Sequence, residues 1–373
     1  MREGWLRPDG IFDGTTIRPL ALRLENGVVT ELGPGPADAP RITGVLTPGF
    51  VDLQVNGGGG VLMNDDPTPA RLADIARAHR RYGTVAILPT LITDAPEVLD
   101  AAAKAIADMG VRDDIIGIHI EGPHISVARR GTHDPRFIRP LDERTIDVVA
   151  ALRAQGVPVM ITLAPEAVRQ GQIARLRGLG AVVSLGHSDT SSDHVKAAIT
   201  EGANCFTHLF NAMSPLLHRQ PGMVGAALNS HVMAGIICDG VHVADELVGL
   251  AIRARPAPDL TFLVSDAMPT VGGPDHFRLY EMDLHVDGGR LVNTEGSLAG
   301  AHVTMADSVA RLITRVGIAP DAALRMAVTL PAQLIGRRDL AQVTGRKAHD
   351  LLLLDKDWQA VETLAGARVE RLL

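Results

Sequence analysis

Cysteine is almost absent from this chain. Cys205 and Cys238 are the only two among 373 residues, and each lies in an apolar run. That pattern excludes a disulfide framework and predicts two buried free thiols. Lysine is also scarce, at four residues, and no long basic run occurs in a chain of formal charge −7. The expected partners therefore do not include nucleic acid. No apolar stretch reaches the roughly 18–20 residues that cross a bilayer, so no membrane association is expected. The first residues, MREGWLRPDG, lack the apolar core of a secretory signal. A cytoplasmic protein with a substantial core is the resulting expectation, since apolar residues make up 46% of the chain.

Short β-rich apolar runs are what is present, and from Thr47 onward they alternate with amphipathic segments. The runs are Phe50–Val55, Thr84–Pro89, Ile115–Ile120, Val159–Leu163, Ala181–Leu185, the run ending at Cys205–Thr207, Val232–Ile237 and Thr261–Val264. Helical patterns at Pro69–Arg81, Pro96–Met109 and Asp142–Gln155 fall between them, with Asp94 a candidate cap upstream of Pro96. Near-continuous apolar strands alternating with helices predict a parallel sheet covered on both faces. Eight such runs predict a (β/α)₈ barrel rather than an open doubly wound sheet. The segment before Thr47 reads instead as strands and turns, with a hairpin signal at Glu25-Asn26-Gly27. The C-terminus returns to that character, with turns at Asp355–Asp357 and Gly366. The predicted organisation is a small β-sandwich domain from residues 1–46 and 337–373 beside a barrel spanning 47–336.

In such a barrel, chemistry collects at the C-terminal ends of the strands. The first run, in GFVDLQVNGGGG, ends in Gln54 and Asn56, where many metal-dependent hydrolases carry His-x-His. The third run is followed by His119, Glu121 and His124, the fifth by His187 and the sixth by His208. The seventh leads to Asp239 and His242, the eighth to Asp266. One carboxylate and two imidazoles leave an open coordination position, as catalytic metal sites do. A further uncoordinated Asp is the expected general base for a water activated there. His119 shares the inward face of its strand with Glu121 but one step deeper. Supporting or packing roles are expected for it and for His124.

The ordered set PGFVDLQVNGGGG, PTLIT, HIEGPHI, GTHDP, TLAPE, GHSDT, THLFNAM, DGVHV and SDAM resembles the N-acetylglucosamine-6-phosphate deacetylases of the amidohydrolase superfamily, over nearly the whole chain. The resemblance implies hydrolysis of N-acetyl-D-glucosamine 6-phosphate to glucosamine 6-phosphate and acetate, a step in amino-sugar catabolism and cell-wall recycling. It implies metal ligands Glu121, His187 and His208, with Asp266 as general base and acid and His133 at the acetyl carbonyl. Asn211, Ala212 and His242 would contact the sugar phosphate, and Arg219 would reach the neighbouring active site of a homodimer. The loop Ser297–His302, with Ala299, would close over the sugar. Gln54 and Asn56 mark a vestigial second metal site, so one divalent ion per chain is expected. Zn²⁺ is the first choice; Fe²⁺, Co²⁺ and Mn²⁺ suit the same ligands. Deacetylation of another N-acetylhexosamine phosphate, such as N-acetylgalactosamine 6-phosphate, stays open, as does an inactive barrel used for binding. Cyclic-amide hydrolases are disfavoured, because VPVMITLAPE carries no bridging lysine.

Overall fold

Both ends of the chain meet in one sheet. In the computed structural model, which describes residues 3–372 apart from 295, 297 and 367, the N-terminal strands are β1 (Gly4–Phe12), β2 (Ile17–Arg18), β3 (Ala21–Glu25), β4 (Val28–Gly33) and β5 (Arg41–Pro48). β1 pairs with β3 through Gly4–Leu6 and with β5 through Arg7–Ile11, so its two neighbours are staggered along it. β3 and β4 are joined by Asn26 and Gly27, both at positive φ (49° and 73°), the conformation a tight hairpin turn requires. A buried cluster including Leu6, Leu22, Leu24, Ile42, Leu351 and Leu353 fills the interior of this layer.

After Pro48 the periodicity of the sequence changes, and so does the architecture. β6 (Phe50–Val55) begins an eight-stranded parallel sheet and is followed by the small hairpin β7 (Gly57–Gly58) and β8 (Val61–Leu62). The sheet continues with β9 (Thr84–Ile92), β10 (Ile118–Glu121), β11 (Val159–Leu163), β12 (Val182–Leu185), β13 (Cys205–Phe206), β14 (Met233–Ile236) and β15 (Thr261–Leu263). Strands β6 and β15 meet where Asp266 N–H donates to the Gln54 carbonyl at 3.0 Å and Val55 bridges Ala267. That junction closes the barrel and sets its first strand end beside its last. Helices α1 (Pro69–Arg80), α2 (Pro96–Met109), α3 (Glu143–Ala154), α4 (Gln172–Gly178), α5 (Ser192–Glu201), α6 (Gly222–Leu228), α7 (Asp245–Ala254) and α8 (Met305–Thr314) are threaded between and after the strands.

Between β15 and α8 the chain inserts a three-stranded antiparallel sheet of β16 (His276–Leu279), β17 (Met282–Asp287) and β18 (Arg290–Asn293). β19 (Leu351–Leu354) then returns antiparallel to Val45–Pro48 of β5, and β20 (Ala360–Thr363) pairs with β19. Every expected barrel strand is present, with ends shifted by a few residues. The third starts at Ile118 rather than Ile115, because Gly117 sits at φ 155° between them. The Asp94 cap is a correction: the N-cap of α2 is Ala95, and Asp94 accepts hydrogen bonds from Ala95 N–H and Asn64 Nδ2 instead. Asp142 does cap α3, accepting Thr145 N–H at 2.8 Å. Cys205 and Cys238 are both buried free thiols.

Candidate active site

Alternation along β10 decides what enters the barrel mouth. His119 and Glu121 take one face of the strand, while Ile118 and Ile120 face the other way. Glu121 is thereby carried to the strand's C-terminal end, buried to 2% exposure. Its Oε1 lies 3.4 Å from His187 Nε2 and 3.1 Å from His208 Nε2, and the two imidazole nitrogens are 3.0 Å apart. Two ring nitrogens and a carboxylate oxygen thus converge on one point from three strand ends.

Tautomers decide what that convergence can hold. His187 Nδ1 lies 2.9 Å from the Arg129 carbonyl, which only accepts, so Nδ1 carries the proton and Nε2 presents its lone pair. A bare imidazole nitrogen beside a buried carboxylate is a fitting donor set for a divalent cation. Burial pushes the Glu121 carboxyl up, but the imidazoles of His187 and His208 outweigh it and hold Glu121 well below the usual carboxylate range. For His208, burial pulls down while Glu121 pulls up, and the net direction is upward. Glu121, His133 and His187 also bring one ligand atom each within 4.8 Å of one another. The direct Nε2 contacts to Glu121 belong to His187 and His208, and these define the tighter set.

The first strand supplies the unexpected part. Gln54 Nε2 donates to Glu121 Oε1 at 3.0 Å and to Asp266 Oδ1 at 3.1 Å. Asn56 Nδ2 donates to the same Asp266 Oδ1 at 2.7 Å. The two amides therefore do more than leave a gap where imidazoles stand elsewhere. Gln54 Nε2 bridges the two buried carboxylates, and both amides orient Asp266. Their carbonyl oxygens, Gln54 Oε1 and Asn56 Oδ1, are buried without a protein partner among the described residues. Burial, and then the charge of Glu121, pushes the Asp266 carboxyl up to about 6 against the pull of His208 and Asn56. Beneath it Asp52, fully buried, accepts a 2.5 Å hydrogen bond from Ser265 Oγ; burial pushes its carboxyl up to about 7.

Asn56, Glu121, His133, His187, His208, Asn211, Ala212, His242 and Asp266 all border one cavity of about 190 Å³. His133 is buried, and burial with His187 beside it pushes its imidazole down to about 3. His242 Nδ1–H donates to Asp239 Oδ2 at 2.6 Å, which leaves Nε2 for a ligand. Asp239 also accepts the N–H groups of Val241 and His242. Burial pushes its carboxyl up, but the His242 imidazole first, and then these N–H groups, outweigh it and keep the carboxyl below the ordinary value. Asn211 Nδ2 is buried without a protein partner among the described residues. His119 turns away to Thr162 Oγ1 at 2.7 Å and Thr90 Oγ1 at 3.3 Å, and His124 to Arg139 O and Thr145 Oγ1.

One expected contact is not brought to the cavity, and Arg219, expected to act on a partner's site, lies away from its own. Ala299 packs its methyl into a small cluster with Met268, Leu279 and Leu291, so its neighbours Leu298 and Gly300 border the cavity instead. Ser297, the start of the expected closing loop, lies outside the described residues. Arg219 is exposed and lines a separate surface pocket with Arg129, Asp189 and Gln220. The inserted sheet is also a feature that sequence reading missed. Tyr280 and Met282 border a chamber of about 670 Å³ that adjoins the cavity at His133. The alternating stretch His276–Asn293 carries a strand signal that could have revealed it.

The sequence profile of the Amidohydrolase family matches residues 45–367. The chain is 41% identical to an N-acetylgalactosamine-6-phosphate deacetylase of Shewanella sp. (strain ANA-3), over 97% of this chain and 95% of the relative. It is 32% identical to an N-acetylglucosamine-6-phosphate deacetylase of Haemophilus influenzae (strain ATCC 51907 / DSM 11121 / KW20 / Rd), over 87% and 86%. A solved structure of a variant N-acetyl-D-glucosamine-6-phosphate deacetylase from Mycobacterium smegmatis, in complex with N-acetyl-D-glucosamine-6-phosphate, superposes with a TM-score of 0.88 at 31% identity, covering 100% of both chains. The family's chemistry matches the carboxylate and imidazoles gathered at the barrel mouth, and this chain belongs to the amidohydrolase family, as a hydrolase of carbon–nitrogen amide bonds.

Proposed function

We propose that this enzyme hydrolyses N-acetyl-D-glucosamine 6-phosphate to D-glucosamine 6-phosphate and acetate. The observation that carries the reading is the single cavity bordered by Glu121, His187, His208, Asp266, His133 and His242. In this reading Glu121, His187 and His208 hold one divalent ion, Zn²⁺ by preference. The ion would lower the pKa of a water toward about 7 and polarise the amide. Asp266 accepts the water's proton as it attacks the acyl carbon. Both amides bind its Oδ1, so Oδ2 is the oxygen turned to the water. Asp266 then returns the proton to the departing amine; without that transfer the intermediate would expel water rather than amine. His133 donates to the developing oxyanion. His242, backed by Asp239, and Asn211 bind the sugar phosphate together with Ala212.

Arg219 completes the phosphate site from the partner of a homodimer, a role suited to its planar fork of donors. Its exposure and its place in a pocket separate from its own cavity support that assignment. A cytoplasmic location, and a division between a terminal domain of 1–46 with 337–373 and a barrel of 47–336, are parts of the same proposal. No helix among the described residues is long and apolar enough to cross a membrane.

N-acetylgalactosamine 6-phosphate is the second reading, favoured by the 41% identity to the Shewanella relative. Release of free amine from both epimers, assayed with added divalent metal, decides between them by the ratio of kcat/KM. Absence of turnover of any N-acetylhexosamine phosphate by metal-loaded protein would sink the proposal and favour a barrel used for binding.

A further inference from the structure

Thr93, at the exit of β9, has no role in the site described so far. Two of its groups reach one atom. Its backbone N–H lies 3.3 Å from His133 Nδ1, and its Oγ1 lies 2.7 Å from the same nitrogen. A backbone N–H can only donate, so Nδ1 is the unprotonated nitrogen and the hydroxyl donates to it as well. A neutral imidazole with a bare Nδ1 carries its proton on Nε2. The opposite holds next door. His187 gives its Nδ1 proton to the Arg129 carbonyl and turns a bare Nε2 toward Glu121. Two imidazoles whose centroids are 4.5 Å apart are therefore set in opposite tautomers by what stands behind each.

The difference sorts their chemistry. A metal ligand needs a lone pair on the coordinating nitrogen; a donor to a carbonyl oxygen needs a proton there. Distance alone would admit His133 beside Glu121 and His187 around an ion. Its tautomer does not.

We infer that Thr93 is a positioning residue that keeps His133 out of the metal shell and makes its Nε2–H the donor to the substrate's acyl oxygen. The inference rests on the deacetylase reading above. Thr93 is itself held from two sides. The hydroxyl of Tyr280, in the turn between β16 and β17, donates to the Thr93 carbonyl at 2.5 Å. Gly122, at φ 81°, lies where a Cβ would stand 2.2 Å from Thr93 Oγ1. The glycine after Glu121 thus leaves the space the hydroxyl occupies.

Thr93→Val removes the hydroxyl with little change of shape, and Thr93→Ser keeps it. Loss of an oxyanion donor costs about 10²–10³-fold in kcat, so a misdirected donor in Thr93→Val should cost about 10- to 100-fold. The KM for the sugar phosphate should move less than about threefold, and Thr93→Ser should stay within about threefold of wild type in kcat. Metal content should match wild type in both. Nitrogen-15 spectra of histidine-labelled, metal-free protein, with His133 assigned through His133→Gln, should show a protonated Nε2 in wild type and mixed tautomers in Thr93→Val. A protonated Nδ1 in wild type overturns the inference. So does an unchanged kcat in Thr93→Val, or an equal fall in Thr93→Ser. If the wild type hydrolyses no N-acetylhexosamine phosphate, the proposed function fails while the spectra still decide the tautomer.

Discussion

His187, His208 and Asp266 hold positive φ angles of 47°, 29° and 53°, a backbone region that costs ordinary residues of order 1–3 kcal/mol each. All three stand where a barrel strand gives way to a loop, and the turn aims each side chain across the mouth. Asp266→Asn should lower turnover by about 10³-fold or more, since the amide cannot accept the water's proton. Its metal content, measured by elemental analysis, should stay near that of wild type; loss of the ion would make Asp266 a ligand instead of the base. Gln54 and Asn56 carry a second prediction. Gln54 Nε2 already bridges Glu121 and Asp266, and Asn56 Nδ2 already binds Asp266, so purified metal-replete protein should bind about one divalent ion per chain. A stoichiometry near two would overturn that account. These amides are visible in the sequence as an absence of histidine. Only the closed barrel reveals that Gln54 binds both carboxylates and Asn56 binds Asp266.

At the scale of elements, the loop after β6 depends on α1. His79, fully buried on that helix, donates from Nε2 to the Gly57 carbonyl at 2.8 Å. Burial pushes its imidazole down to about 4, against the pull of that bond. A depressed pKa means the unfolded chain binds the proton more readily. The stabilising contribution is therefore complete above about pH 6.5 and is lost as the pH falls toward 4, amounting to roughly 3 kcal/mol. Asp52, pushed up to about 7 by burial, runs the other way, losing its contribution as the pH rises from about 4 to 7. Comparison with a variant isolates the first effect. Between pH 7.5 and pH 4.5, wild type should lose more stability than His79→Gln, read as the shift in urea midpoint. Equal losses would mean His79 is charged in the folded protein. Elements of the barrel were easy to read because apolar strands and amphipathic helices differ in period. The inserted β16–β18 sheet escapes that reading because its strands are short, four to six residues, and only a few of their side chains are buried, which weakens the signal.

For the whole molecule, the phosphate site is the open matter of assembly. Arg219→Ala should raise KM by about tenfold or more for the phosphorylated sugar and hardly at all for the unphosphorylated one. Equal effects would remove Arg219 from phosphate binding. If the arginine acts across a dimer, mixing Arg219→Ala with Asp266→Asn chains should restore activity. Half the dimers would be hybrids with one intact site, giving about a quarter of wild-type turnover. No restoration, with subunit exchange verified, would place Arg219 in its own chain's site. By itself the sequence determined the eight strands, the pairing of the two termini in character, and the residue types needed for amide hydrolysis, because each follows from local periodicity and short motifs. What only the tertiary structure decided depends on residues far apart in the chain. The β6–β15 junction brings Gln54 against Asp266, Thr93 fixes the tautomer of His133, and Ala299 turns into the core while Arg219 points outward. Contacts of that kind carry no periodicity, since they arise from how the strand ends face one another once the barrel has closed.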